Sequence, residues 1–291
     1  MAKILVIAGD NLGIRLDQID YPDFRRVHFP VIVEDSEYIE DEDHSFSWLL
    51  AKFRDDDAMA KSSCLSREEI IEVVEANLEG CDLIVHVLMS SGMSAATYMI
   101  AEEVKTLYEE RIPIINIDSR QTMCGVGVVL LRLVEELKTI HDPEEIRKTA
   151  QRIIENTFMF LALPDLRYLQ RGGRIGKAKA FMGSVLKIIP VVGMKGEEVE
   201  GVILPIGKGR TPAQANTLIL NAIREGMSKR GVEKIKLAVT MSFGDNPEAI
   251  ADLERKVRDS LPCDRHVSGE PHLVEAIHCG PRSWAIAVSF A

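Results

Sequence analysis

Short apolar runs alternate with longer amphipathic stretches through the first half of the chain. Ile4–Ile7 and Val31–Val33 are too short for helices and predict strands. In Ser66-Arg67-Glu68-Glu69 a hydroxyl residue is followed three positions on by Glu, the spacing of a capping box. It predicts a helix from there through Ala76. Leu83–Leu88 predicts a buried strand that runs into Ser90-Ser91-Gly92-Met93-Ser94 and a helix through Val104. A strand at Ile112–Ile117 follows, and then Gly125-Val126-Gly127 opens an apolar helix toward Leu137. Strands alternating with helices in this rhythm predict parallel βαβ units and an open α/β sheet.

The pattern then changes. Asp142-Pro143 places an N-cap Asp before a Pro at the first helical position, a second clear helix start. The expected division is an N-terminal α/β domain over 1–148 and a C-terminal domain over 149–291. Ile188–Met194 and Val199–Ile206 read as strands joined by a tight turn at Lys195-Gly196. Gly209–Ser228 and Pro247–Leu261 read as helices, and Lys236–Met241 and Trp284–Phe290 as strands. Helices among partly antiparallel strands predict a mixed-sheet α/β second domain. The chain shows no internal repeat.

Composition narrows the function. The 291 residues carry 35 Lys+Arg against 45 Asp+Glu, a net charge of −10, which argues against non-specific nucleic-acid binding. No apolar stretch approaches the ~18 residues of a membrane-spanning helix, and the N-terminus lacks the pattern of a signal peptide. Five scattered cysteines without CxxC spacing fit a reducing cytoplasm, and neither a disulfide framework nor a zinc site. The charged runs Glu34–Asp43 and Arg54–Asp57 read as solvated loop edges or as a partner surface.

Two hydroxyl clusters carry the candidate chemistry. Ser90, Ser91 and Gly92 sit where a parallel strand ends and a helix begins, the usual ligand position in open α/β sheets. Free backbone N–H groups at the helix start favour an anion there, Gly92 permits close approach, and the serines can donate hydrogen bonds. Helix capping alone is the competing explanation. Ser62-Ser63-Cys64-Leu65-Ser66 repeats the arrangement. Two such clusters at neighbouring strand ends would converge on one carboxylate or phosphate.

Farther on, Arg171, Arg174, Lys177 and Lys179 form a basic patch around Gly172-Gly173 in an acidic chain. It reads either as an anion-recognition element or as a solvated helix end. His278, beside Gly280-Pro281 at a strand mouth, and the strand-end residues Asp10 and Asp118-Ser119 are further candidates. No G-x-S-x-G elbow or phosphate-binding loop is present, and Gly125-x-Gly127 lacks the third Gly of a dinucleotide fingerprint.

Taken in order, these segments resemble the DegV family of bacterial fatty-acid-binding proteins. Leu5–Asp10 is similar to the family's first strand and Asp, and Ser62–Ser66 to its Thr-Ser-Gln-Pro-Ser. Ser90–Tyr98 is similar to Ser-Ser-Gly-Leu-Ser-Gly-Thr-Tyr, and Tyr168–Ile175 to Tyr-Leu-x-x-Gly-Gly-Arg-Ile. Asp118-Ser119, Gly125-x-Gly127 and His278–Pro281 complete the set. The resemblance implies a two-domain α/β protein with a fatty acid as bound ligand, no cofactor and no metal. Its carboxylate would be held by hydroxyls between the domains and its tail by an apolar tunnel in the C-terminal domain. Family members of this kind present the acid to a separate ATP-binding kinase that makes an acyl phosphate for phospholipid synthesis.

Carried over by motif, Ser62 and Ser91 would bind the carboxylate, with Ser63, Ser90 and Gly92 beside them. Arg174 and His278 would lie near the head group and the kinase interface. The chain departs from the pattern at Asn11, Cys64-Leu65, Ala95-Ala96 and Arg282, the last placing a bulky cation near the expected head group. The alternative is a hydrolase or acyl/phosphoryl transferase with Ser91 as nucleophile and His278 as its base.

Overall fold

The computed structural model describes residues 2–55, 60–181 and 188–290. The first half builds β1 (Ile4–Gly9), β2 (Phe24–Val27), β3 (Val31–Val33), β4 (Ser36–Tyr38), α1 (Phe46–Asp55) and β5 (Ala60–Ser62). It continues with α2 (Arg67–Glu75), β6 (Leu83–Leu88), α3 (Ala95–Tyr108), β7 (Ile114–Asp118), α4 (Cys124–Glu136) and α5 (Pro143–Glu155). The second half holds β8 (Thr157–Ala162), α6 (Arg167–Arg171), β9 (Ile189–Lys195), β10 (Leu204–Gly209) and α7 (Pro212–Arg230). It closes with β11 (Ile235–Ser242), α8 (Pro247–Ser260), β12 (Cys263–Ser268), α9 (Leu273–Cys279) and β13 (Trp284–Phe290).

The predicted parallel sheet is present as four strands in the order β2-β1-β6-β7, all parallel. Its central strands β1 and β6 are buried on both faces, and alternation sorts their side chains. Ile4, Val6 and Ala8 join the core shared with α4 and the second sheet, while Leu5 and Ile7 face the core built with α2, α3 and α9. Ser66 caps α2 as predicted, accepting from the Glu69 N–H at 3.2 Å. The Glu69 carboxylate does not close the box; it pairs with His28, Oε1 lying 2.6 Å from the ring Nδ1. Asp142 caps α5 by accepting from the N–H groups of Glu144 and Glu145.

The second sheet has six strands in the order β10-β9-β8-β13-β11-β12, with only β11-β12 parallel, so the mixed sheet is as expected. In β13, Trp284, Ile286 and Val288 face the core under α7 and α8. Ala285 and Ala287 face α4, where small side chains let the helix lie close. Helix α4 is thereby sandwiched between the two sheets.

Three expectations change. The 148/149 boundary falls inside the continuous helix α5, and the chain enters the second sheet at Thr157. β9 and β10 are antiparallel, but residues 196–203 connect them as a long loop instead of a tight turn. Residues 34–38 are not merely a charged edge: Glu34 and Asp35, both with positive φ, turn β3 into β4. With β5 these strands form a small antiparallel sheet. The run at 54–57 lies largely outside the described residues. No helix among the described residues is long and apolar enough to cross a membrane.

Candidate ligand-binding site

β5 ends at Ser62, which sits opposite Val31 of β3, and the N–H of Ser63 donates to the Pro30 carbonyl at 2.8 Å. These contacts hold both hydroxyl residues against α9, whose apolar side is buried with the first-half core although it comes from the far end of the chain. The last turn of α9 carries His278, with Nε2 lying 2.9 Å from Ser62 Oγ. Burial, helped by the nearby Arg174, lowers this histidine to about 4, so its ring is neutral. Its Nδ1 is buried without a hydrogen-bond partner among the described residues. A Cβ on Gly172 would stand 2.2 Å from that atom, so only glycine allows this approach. An unpartnered acceptor at Nδ1 costs less than an unpartnered N–H, so the tautomer with Nε2–H donating to Ser62 Oγ is favoured, and the Ser62 hydroxyl proton can then donate outward.

What lies outward is a cavity with about 570 Å³ of atom-free space, counting its open mouth. Ser62, Ser63, Arg174 and His278 line it, together with Ser94, Thr122 and Glu275. Phe29, Met89, Met93, Met123, Leu161 and Ile203 supply much of its apolar wall. The lining therefore comes from both halves, not from the second half alone. Arg174 is held by its own loop, its Nη1 donating to the Gly172 carbonyl at 2.7 Å.

The other three predicted residues do not line the cavity. Ser90 is fully buried and donates to the Gly201 carbonyl at 2.6 Å, tying the parallel sheet to the β9–β10 loop. Gly92 meets the same loop, since a Cβ there would stand 2.0 Å from the Glu200 carbonyl oxygen. Ser91 donates to Asp118 Oδ2 at 2.6 Å. The serine that lines the cavity from this segment is Ser94, one position before α3, with its hydroxyl donating to Thr97 Oγ1 at 2.9 Å. A Ser91–His278 pair is thus not the geometry, because each has a different partner. Arg282 also lies elsewhere, 4.0 Å from Asp165 and outside the cavity lining.

The family model described as "Uncharacterised protein, DegV family" matches residues 3–291. The chain belongs to the DegV family. A DegV domain-containing protein of Clostridium perfringens is 28% identical over 234 residues, 79% of each chain. A fatty-acid-binding DegV family protein from Thermus thermophilus superposes with a TM-score of 0.87 at 26% identity, covering 99% of this chain and 100% of that one. A stearic-acid-binding protein from Eubacterium ventriosum gives a TM-score of 0.87 at 21% identity, over 100% of this chain and 98% of that one.

Within this DegV fold, sequence reasoning named Asp10 but missed the rest of the polar group behind Ser62. His272, the N-cap of α9, lies 2.8 Å from Glu40 through Nδ1, and its backbone N–H donates to Glu275 Oε2 at 2.9 Å. Asp10, at the end of β1, is buried nearby and accepts from the Phe29 N–H at 3.2 Å. Burial raises Asp10 to about 6 and Glu275 to about 8, each partly offset by the positive His272. Burial alone would lower His272, but Glu40, Glu275 and Asp10 outweigh it and bring it to about 9. Glu40 belongs to the charged run, and nothing in the sequence pairs it with a residue more than two hundred positions away. The available signal was the spacing of Glu275 and His278, three apart and on one face once α9 is known to be a helix.

Proposed function

We propose that this DegV protein binds a long-chain fatty acid in the cavity between its sheets and presents it to a separate ATP-dependent kinase. One observation carries the reading. A neutral His278, the Ser62 hydroxyl it orients and the Arg174 guanidinium meet at a cavity whose remaining wall is largely Met, Leu, Ile and Phe. Hydroxyl donors suit a carboxylate, and a guanidinium beside them suits the phosphate that the kinase brings. The apolar wall suits an acyl chain. Burying the tail yields about 0.8 kcal/mol per methylene, so a long chain supplies roughly 10 kcal/mol before entropy losses. The head-group bonds add about 1.5–3 kcal/mol and set orientation. Similar folds from Thermus thermophilus and Eubacterium ventriosum that bind fatty acids support the same reading.

The Ser62–His278 pair also invites a hydrolase reading, but the chemistry is weak. A base must take a proton and be oriented by a third group. His278 has no partner on Nδ1 among the described residues, and its basicity is depressed to about 4. Protein purified from bacteria, denatured and extracted should release one fatty acid per chain by mass spectrometry; extracts without it overturn the carrier reading. For the kinase step, Arg174→Ala should retain acid yet slow its phosphorylation when an ATP-dependent fatty acid kinase is added. Loss of the acid instead would place Arg174 among the carboxylate's anchors.

A further inference from the structure

Glu275 fits poorly with a plain acyl chain. Its side chain is only 2% exposed and lines the cavity. Its neighbours on α9 are Leu273, Val274, Ala276 and Ile277, all buried and apolar. Oε2 accepts the His272 N–H at 2.9 Å, whereas Oε1 is buried with no hydrogen-bond partner among the described residues. A buried polar atom left unpartnered is costly, and a saturated tail would leave it so.

The bonding also fixes the role of each oxygen. Oε2 acts as the acceptor, and burial keeps the carboxyl largely protonated at neutral pH, so Oε1 carries the proton and is a donor. His278 lies three residues on along α9 and also lines the cavity, which puts the free donor within about one helical turn of the head-group end.

We propose that Glu275 selects an aliphatic acid bearing a hydroxyl or oxo oxygen close to its carboxyl end, bound through the O–H on Oε1. This rests on the fatty-acid reading above and narrows it to oxygenated acids.

The test is a competition on delipidated full-length protein between hexadecanoic acid and the same acid with a hydroxyl on its third carbon. Wild type should prefer the hydroxy acid about tenfold. Glu275→Leu should lose the preference. Glu275→Gln keeps an acceptor for the His272 N–H and an N–H donor in place of Oε1, and should retain several-fold preference. Equal binding of the two acids by wild type, as expected if only water meets Oε1, overturns the proposal. So does a preference that survives Glu275→Leu. If neither acid binds wild type, the carrier reading has failed, and this one with it.

Discussion

The loop at 62–66 leans on α9, and the loop at 90–94 leans on the β9–β10 connection. Behind Ser62 stands His278, and farther along α9 stand Glu275 and His272 with Glu40 and Asp10 beside them. Behind Ser90 and Ser91 stand one backbone carbonyl and one carboxylate, those of Gly201 and Asp118. Both loops offer small hydroxyls before a helix, yet what supports them differs. The first is backed by groups that exchange protons near neutrality and keeps a hydroxyl free for the cavity. The second gives its three serine hydroxyls to protein acceptors and acts as a latch between the sheets. A hydroxyl becomes a ligand donor only where the fold does not already claim its proton.

The largest expected effect follows from that electrostatic difference. In the fold Glu275 sits at about 8 against 4.5 for a free carboxyl, and His272 at about 9 against 6.5. Between pH 6.5 and 9 the folded chain therefore keeps protons that the unfolded chain has released, so stability falls as pH rises. His86 and His278, both held near 4 by burial, act in the opposite direction, but only below about 6.5. Thermal melts should show a loss on the order of a few kcal/mol from pH 6.5 to 9. Glu275→Leu should remove part of that loss and Ser90→Ala none. A melting temperature that stays level across the window would detach the proton-exchanging character from the 62–66 side.

The latch should fail mechanically. Gly92→Ala sets a Cβ 2.0 Å from the Glu200 carbonyl oxygen, a backbone atom that cannot swing aside. The expected cost is about 3 kcal/mol in denaturant unfolding. Ser90→Ala strands the buried Gly201 carbonyl and should cost about 1–3 kcal/mol. In the other loop, Ser63→Ala keeps the backbone bond to the Pro30 carbonyl and should change stability by no more than about 0.5 kcal/mol. Equal destabilisation by Ser90→Ala and Ser63→Ala would erase the distinction between latch and ligand loop.

The parts of this arrangement that were legible in sequence are those set by local physics. The short apolar run of β1, the Ser66 and Asp142 caps, and the hydroxyls at strand ends depend on neighbours within a few residues. Strand β8 was missed because Thr157–Ala162 follows α5 with almost no turn between them. Helix α9 was missed because its seven residues are nearly all buried and so show no amphipathic period. That omission hid Glu275 and His272. The choice among Ser90, Ser91 and Ser94 was illegible for another reason. It depends on Gly201 and Asp118, acceptors brought in by separate segments, and local spacing cannot say which serine is left to line the cavity.

The smallest effects decide that last choice. Ser62→Ala removes the donor that His278 orients, and should weaken displacement of a fluorescent fatty acid about tenfold. Ser94 donates to Thr97 Oγ1 at 2.9 Å and reaches the cavity only as a secondary partner, so Ser94→Ala should cost about threefold. Ser91→Ala should change affinity less than about twofold, because its proton already belongs to Asp118. The ordering matters more than any single value. If Ser91→Ala weakens binding as much as Ser62→Ala does, then Ser91 must exchange Asp118 for the ligand when the acid enters. The 90–94 loop would then be a second ligand loop as well as a latch.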